Sequence, residues 1–173
     1  AYLNGLYLHG PVVFPPSASA AAAVGAVSWR QHALVAIGGG KDSLVSIEAL
    51  RSAAVEQTVT WIGNSQLIAA CAARTELPTL NLGRAIAPEL FELNRQGAWN
   101  GHIPVTAVNS AILVLAALLN GVGQVVFSNE RSASYGSIIP GTGEVNHQWS
   151  KGWAFESGFG AHLQSHVAAD LQY

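Results

Sequence analysis

From residue 32 onward, short apolar runs and amphipathic stretches alternate along the chain. Residues 32–37 form an apolar, β-branched run and read as a strand. Residues 43–54 carry helical spacing, 58–62 read as a second strand, and 65–74 as a helix ending before Leu77-Pro78. A short strand is predicted at 79–82, a helix at 88–94, and a long helix at 103–119 with Pro104 in its first turn. Residues 124–127 give a fourth strand. After residue 128 the chain turns polar, with glycines and aromatics, and 162–170 is expected to form a last helix. Strands alternating with helices imply βαβ units, hence an α/β domain with a parallel sheet. Residues 1–16 lack periodicity, and 17–28 are Ala/Ser-rich, a helix or a linker. The expected division is an N-terminal segment, 1–30, as the remnant of a preceding domain, and a main domain, 31–173, with a polar C-terminal part.

Composition narrows the class. Half of the 173 residues are hydrophobic and only 10% are charged, which argues against disorder. The net charge is −2 with no basic run, so no nucleic-acid partner is expected. The single cysteine, Cys71, has helical neighbours and is expected to be a buried thiol. The longest apolar stretch, 111–119, is far short of the roughly 20 residues that span a bilayer, so no membrane span is expected. The chain begins without Met and contains none, so it is expected to be part of a longer protein.

In parallel sheets ligands bind beyond the carboxyl ends of the strands, so strand ends are where chemistry is sought. The first strand ends in Gly38-Gly39-Gly40, and a helix is expected to start at Asp42-Ser43. Consecutive glycines let backbone N–H groups converge on an anion, and a helix start adds free donors and a positive dipole end. Lys41 adds a cation. Asp42 is out of place beside a phosphate unless a metal ion lies between them. The mononucleotide P-loop is excluded because Asp42, not Ser or Thr, follows the lysine. The dinucleotide fingerprint is excluded because the glycines are consecutive. The loop reads as a pyrophosphate site in an enzyme that consumes a nucleotide.

Gly39-Gly40-Lys41-Asp42-Ser43 resembles the Ser-Gly-Gly-x-Asp-Ser loop of the N-type ATP pyrophosphatases, the PP-loop superfamily, with Gly38 where the first serine usually stands. Three polar strings are more specific. They are Asn100-Gly101-His102-Ile103-Pro104-Val105-Thr106, Ser128-Asn129-Glu130-Arg131-Ser132-Ala133 and Val145-Asn146-His147-Gln148-Trp149-Ser150-Lys151. With the loop, they resemble the UDP-N-acetylmuramoyl-L-alanyl-L-glutamate epimerase family over about residues 34–156.

That resemblance implies a doubly wound, mostly parallel sheet with helices on both faces, of the adenine nucleotide α-hydrolase-like, PP-loop type. It implies an ATP- and Mg2+-dependent epimerase of the bacterial cytoplasm, acting on a UDP-muramoyl dipeptide for peptidoglycan precursor synthesis. The terminal L-Glu would be inverted through an acyl-adenylate, with release of AMP and pyrophosphate. Gly38, Gly39, Gly40, Lys41 and Ser43 would hold phosphates, Asp42 would bind the metal or cap the helix, and Ile62 would contact adenine. Ser128 and Arg131 would face nucleotide or substrate. An inversion calls for a proton-transfer group on each face. His147 is the first candidate, since histidine titrates near neutral pH, with Glu130 or Lys151 opposite and His102 as a further candidate. The other histidines are expected to be structural or solvated, including His162 and His166, whose spacing with Asp170 makes no convincing metal set. The alternatives are another adenylating PP-loop enzyme, such as an amidotransferase or tRNA-modifying ligase, or a non-catalytic nucleotide-binding domain.

Overall fold

Four strands form a single parallel sheet in the computed structural model, which describes residues 25–98 and 103–173. They are β1 (Arg30–Ala36), β2 (Glu56–Ile62), β3 (Thr79–Leu82) and β4 (Val122–Val126), in the order β3-β2-β1-β4. Val35 pairs with Val59 on one side of β1, and Leu34 with Val125 on the other. The helices are α1 (Lys41–Ser52), α2 (Gln66–Ala73), α3 (Pro88–Arg95), α4 (Val105–Leu119) and α5 (Trp153–His166). An antiparallel hairpin, β5 (Ser137–Ile139) and β6 (Gly143–Val145), stands apart from the main sheet.

Side-chain alternation along β1 divides the core in two. Leu34 points to a layer with Leu113, Val114 and Ala117 of α4 and Leu163 of α5. Ala33, Val35 and Ile37 point the other way, to Ile47 of α1 and Ala72 of α2. A parallel strand covered on both faces must be apolar throughout, which is why β1 reads as a continuous run. Cys71 is half-buried against the second layer, less enclosed than expected. Gly123 in β4 is fixed by packing: a Cβ there would lie 2.4 Å from Cγ of Trp29.

Several element boundaries differ from expectation. Helix α1 starts at Lys41 because Gly40, extended at φ −92° and ψ 172°, takes the N-cap. Pro104 is the N-cap of α4 and lies outside its first turn. Strand β4 begins at Val122, and Phe127 lies past its end. The last helix begins at Trp153 and ends at His166, so Asp170 is not on it. Gly158 and Gly160 weaken its local helical signal. Packing compensates, since Phe159 lies 5.3 Å from Phe155 and 4.9 Å from Tyr173, ring to ring. After α5 the chain runs back along β4, where the Gln172 amide donates to Gly123 and the Val125 amide to Gln172. The hairpin was not expected. It turns through Pro140-Gly141-Thr142, where the Thr142 amide donates to Ile139 at 3.0 Å and Gly141 has φ +79°. Residues 1–24, most of the expected N-terminal segment, lie outside the described residues, as does His102.

Candidate functional site

Chain order and sheet order disagree at one place. The chain winds outward from β1 through β2 to β3, then returns to pair β4 on the opposite side of β1. That switch point leaves a crevice at the carboxyl ends of the strands. A cavity of about 260 Å³ lies there. Gly38, Gly40, Asp42 and Ser43 of the β1–α1 turn line it, with Thr60, Trp61 and Ile62 of β2. Thr106, Asn109 and Leu113 of α4 form a wall, and Phe127, Ser128 and Asn129 follow from the end of β4.

The glycine turn is open. A Cβ on Gly38 or Gly40 would meet no atom within 4 Å, so the turn is uncrowded on that side and a serine at position 38 would fit. Gly39 has φ +82°, a conformation other residues adopt only with strain. Gly39 and Lys41 do not line the cavity. The Lys41 side chain is 81% exposed, with its Nζ 3.7 Å from Asp42 Oδ1. A cation in the first turn of a helix opposes the dipole, and Asp42 beside it offsets this. Asp42 does not take the cap, since Gly40 does; its carboxylate is half-exposed beside the cavity. Among the described residues no group of three His, Cys, Asp or Glu side chains could hold a metal by itself. A single carboxylate suits Mg2+ when phosphate oxygens supply other ligands. Ser43 is buried and its hydroxyl donates to the Gly40 carbonyl at 3.1 Å, bracing the turn. Ser128 is braced likewise, its hydroxyl donating to Ser46 of α1 at 2.7 Å.

Among the lining residues that were not anticipated, two carry buried polar atoms without a partner. Thr60 is fully buried and its hydroxyl has no hydrogen-bond partner; Oδ1 of Asn109 is also buried and unpartnered. A sequence signal for them exists. Thr58 and Thr60 are polar positions at strand period, and Thr106, Asn109 and Leu113 recur at helical spacing on one face of α4. The α4 wall is anchored from behind. The Ser110 hydroxyl lies 2.7 Å from the Thr106 carbonyl, to which it can donate, and shares a 2.6 Å hydrogen bond with the Tyr173 hydroxyl. Burial raises the Tyr173 pKa above its ordinary value, the bond to Ser110 works against this, and Glu156 adds to it.

The proposed proton-transfer residues lie elsewhere. Glu130 and His147 share another, smaller cavity of about 170 Å³ with Tyr135, Ser137 and Asn146. The chain reaches it through two single-turn 3-10 helices, Arg131–Ser134 and Trp149–Lys151. Asn146 ties the parts together: its Nδ2 donates to the Ala133 carbonyl at 2.9 Å, and its Oδ1 accepts from the Gln148 amide at 2.8 Å. Arg131 and Lys151 are exposed and line neither cavity. His162 and His166 stack at 4.3 Å on α5, while Asp170 accepts from the Val27 amide at 3.0 Å. That bond holds the Asp170 pKa below the ordinary carboxylate value.

The profile of the MurL N-terminal domain matches residues 1–173. A protein of Xanthomonas oryzae pv. oryzae (strain MAFF 311018), UDP-N-acetyl-alpha-D-muramoyl-L-alanyl-L-glutamate epimerase, is 80% identical over 173 residues, all of this chain and 38% of that protein. Proteins of the same name are 45% identical in Salinispora tropica, over 91% of this chain and 35% of the relative, and 47% identical in Micromonospora sp., over 81% and 31%. The chain therefore spans between 31% and 38% of the length of these curated relatives. No solved structure matches at a significant level.

Proposed function

This chain belongs to the MurL N-terminal domain family, and from that premise we propose that it supplies the nucleotide site of an ATP- and Mg2+-dependent epimerase. The substrate is UDP-N-acetylmuramoyl-L-alanyl-L-glutamate, whose terminal residue is inverted for peptidoglycan precursor synthesis in the bacterial cytoplasm. The observation that carries this reading is the open glycine turn at the switch point, with Asp42 and Ser43 on the same cavity.

The chemistry explains why a nucleotide is consumed. A proton α to a free carboxylate is hard to remove, because a dianion would form. Attack by a carboxylate oxygen on the α-phosphorus of ATP, with pyrophosphate leaving, converts the carboxylate to a neutral acyl group and acidifies that proton. The N–H groups of the glycine turn and of the α1 start hold the departing pyrophosphate. Asp42 holds Mg2+, which offsets phosphate charge. Ser128 stands on the β4 side of the cavity, towards nucleotide or substrate, while Arg131, exposed outside it, would have to swing inward to meet a phosphate or carboxylate. His147 and Glu130 carry the α-proton away and return one on the other face, with Lys151 as the reserve for that second position. Water then releases the inverted glutamate and AMP. This is the PP-loop type of ATP cleavage, between the α and β phosphates.

The test is product identity. The intact protein is incubated with ATP, Mg2+ and the L-Glu substrate in deuterated water. Deuterium at the inverted carbon, with AMP and pyrophosphate, is expected. Release of ADP, or inversion without nucleotide cleavage, would sink the proposal.

A further inference from the structure

We propose that the outer flank of α4 is the docking surface for the part of the protein that follows residue 173. The inference is independent of the nucleotide reading above.

Helix α4 reverses the pattern of a surface helix. Val105–Leu119 contains no charged residue, and its polar residues lie on the inner side. Ser110 is buried, and Thr106 and Asn109 line the switch-point cavity. Leu113, Val114 and Ala117 are already packed in the core. The outer flank is apolar too. Val105, Val108, Ile112, Leu115 and Leu119 recur at steps of three, four, three and four, which sets them in one stripe down the helix. Ile112 is half-buried and the other four are exposed, Leu115 by 57% and Leu119 by 79%. A helix apolar on every side is one that is covered on every side, and a stripe with this spacing is the kind that packs against another helix.

The occupant follows from length, position and area. The chain matches only 38% of the Xanthomonas relative, and its family is an N-terminal domain, so the relative's chain continues past the match. Tyr173 lies against α4 itself, its hydroxyl 2.6 Å from that of Ser110, and Gln172 runs beside β4. Whatever follows Tyr173 therefore starts next to α4 and needs no long connection to reach its outer flank. A segment tethered that closely docks at an effective concentration of about millimolar, so a narrow apolar stripe suffices. A free second copy has no such help. Each partner of a stable complex buries about 800 Å², more than five side chains on one helix present. A bilayer does not fit either, because 15 residues of helix reach only about 22 Å. The docked face must itself be apolar, since the stripe offers nothing to pair with a charge or a hydrogen-bonding group.

Photo-crosslinking in the intact, full-length protein tests the inference. Benzoylphenylalanine is placed at position 115 and, as a control, at position 67, where Leu67 is 71% exposed on α2. Position 115 is expected to crosslink to residues beyond 173, and mixed isotope-labelled and unlabelled chains are expected to show both ends in one polypeptide. Position 67 is expected to give no such product. Crosslinks between copies, to residues 1–24 or to lipid would overturn the proposal, as would no crosslink at position 115 or equal yields at both positions. A second measurement is limited proteolysis. Leu115→Asp is expected to speed cleavage beyond residue 173 about tenfold, the loss of one central apolar anchor, while Leu67→Asp leaves it unchanged. Equal rates in the two variants would also overturn the proposal.

Discussion

The glycine-turn cavity and the Glu130–His147 cavity are made from different material. The first sits on the carboxyl ends of buried parallel strands, and its wall, α4, is itself part of the core. The second sits on two single-turn 3-10 helices and a three-residue-per-strand hairpin, joined by side-chain to backbone bonds such as those of Asn146. Core packing dominates around the first, whereas around the second only Ala133 is buried in the core and side-chain to backbone hydrogen bonds carry more of the order. On the function proposed above, the contrast would suit a division of labour, with phosphates held on a rigid frame and protons moved where local adjustment is inexpensive. The Mg2+ and nucleotide end should therefore fail by chemistry, and the proton-transfer end by loss of positioning.

The largest expected effect is at the first cavity. Asp42→Ala should lower AMP formation about a thousandfold, by removing a metal ligand worth several kcal/mol, while urea unfolding changes little. Retained turnover would remove the metal role. Leu113→Ala comes next. Leu113 is buried in the core and lines the cavity, so its truncation should cost about 3 kcal/mol in urea unfolding. The matching change on the hairpin, Ile138→Ala, should cost no more than about 0.5 kcal/mol, since Ile138 is 75% exposed. Equal losses would erase the contrast. Gly39→Ala should cost about 1–2 kcal/mol through its left-handed backbone, even though its Cβ would meet Ile68 at an ordinary 3.7 Å. At the second cavity, Asn146→Ala should cost about 1 kcal/mol. It should also speed hydrogen exchange at the Gln148 amide and slow α-proton exchange, with AMP-forming chemistry less affected.

Much of the first region was legible in the sequence, for a physical reason. Strands covered on both faces must be apolar, so β1 and its glycine stop stand out, and Gly38, Asp42, Ser43, Ile62 and Ser128 all reach the cavity. What periodicity could not give was the depth of Thr60 and Asn109, which depends on how α4 packs over the sheet. The second region was legible only as polar strings. Glu130 and His147 do meet at one cavity, whereas the hairpin and the early start of α5 went unread, because tertiary ring packing and a Pro-Gly turn decide them. Arg131 and Lys151, beside the right residues in sequence, point to solvent.

The smallest expected effect is one of pH. The Tyr173 pKa is raised above 10.0, chiefly by burial, so the folded state keeps the phenol neutral where the unfolded chain ionises. The stabilisation is complete below pH 10.0 and is lost as pH rises from there through the folded pKa. Tyr173→Phe, which cannot ionise, should flatten that alkaline decline in a thermal melt series. An unchanged decline would detach Tyr173 from the α4 wall.

The central claim is that nucleotide cleavage and proton transfer are housed separately, and one variant tests it most directly. His147→Ala, in the intact protein with ATP, Mg2+ and the L-Glu substrate in deuterated water, should still release AMP and pyrophosphate while incorporating little deuterium at the α-carbon. Deuterium incorporation at the wild-type rate, or AMP formation lost in the same proportion as exchange, would contradict the account.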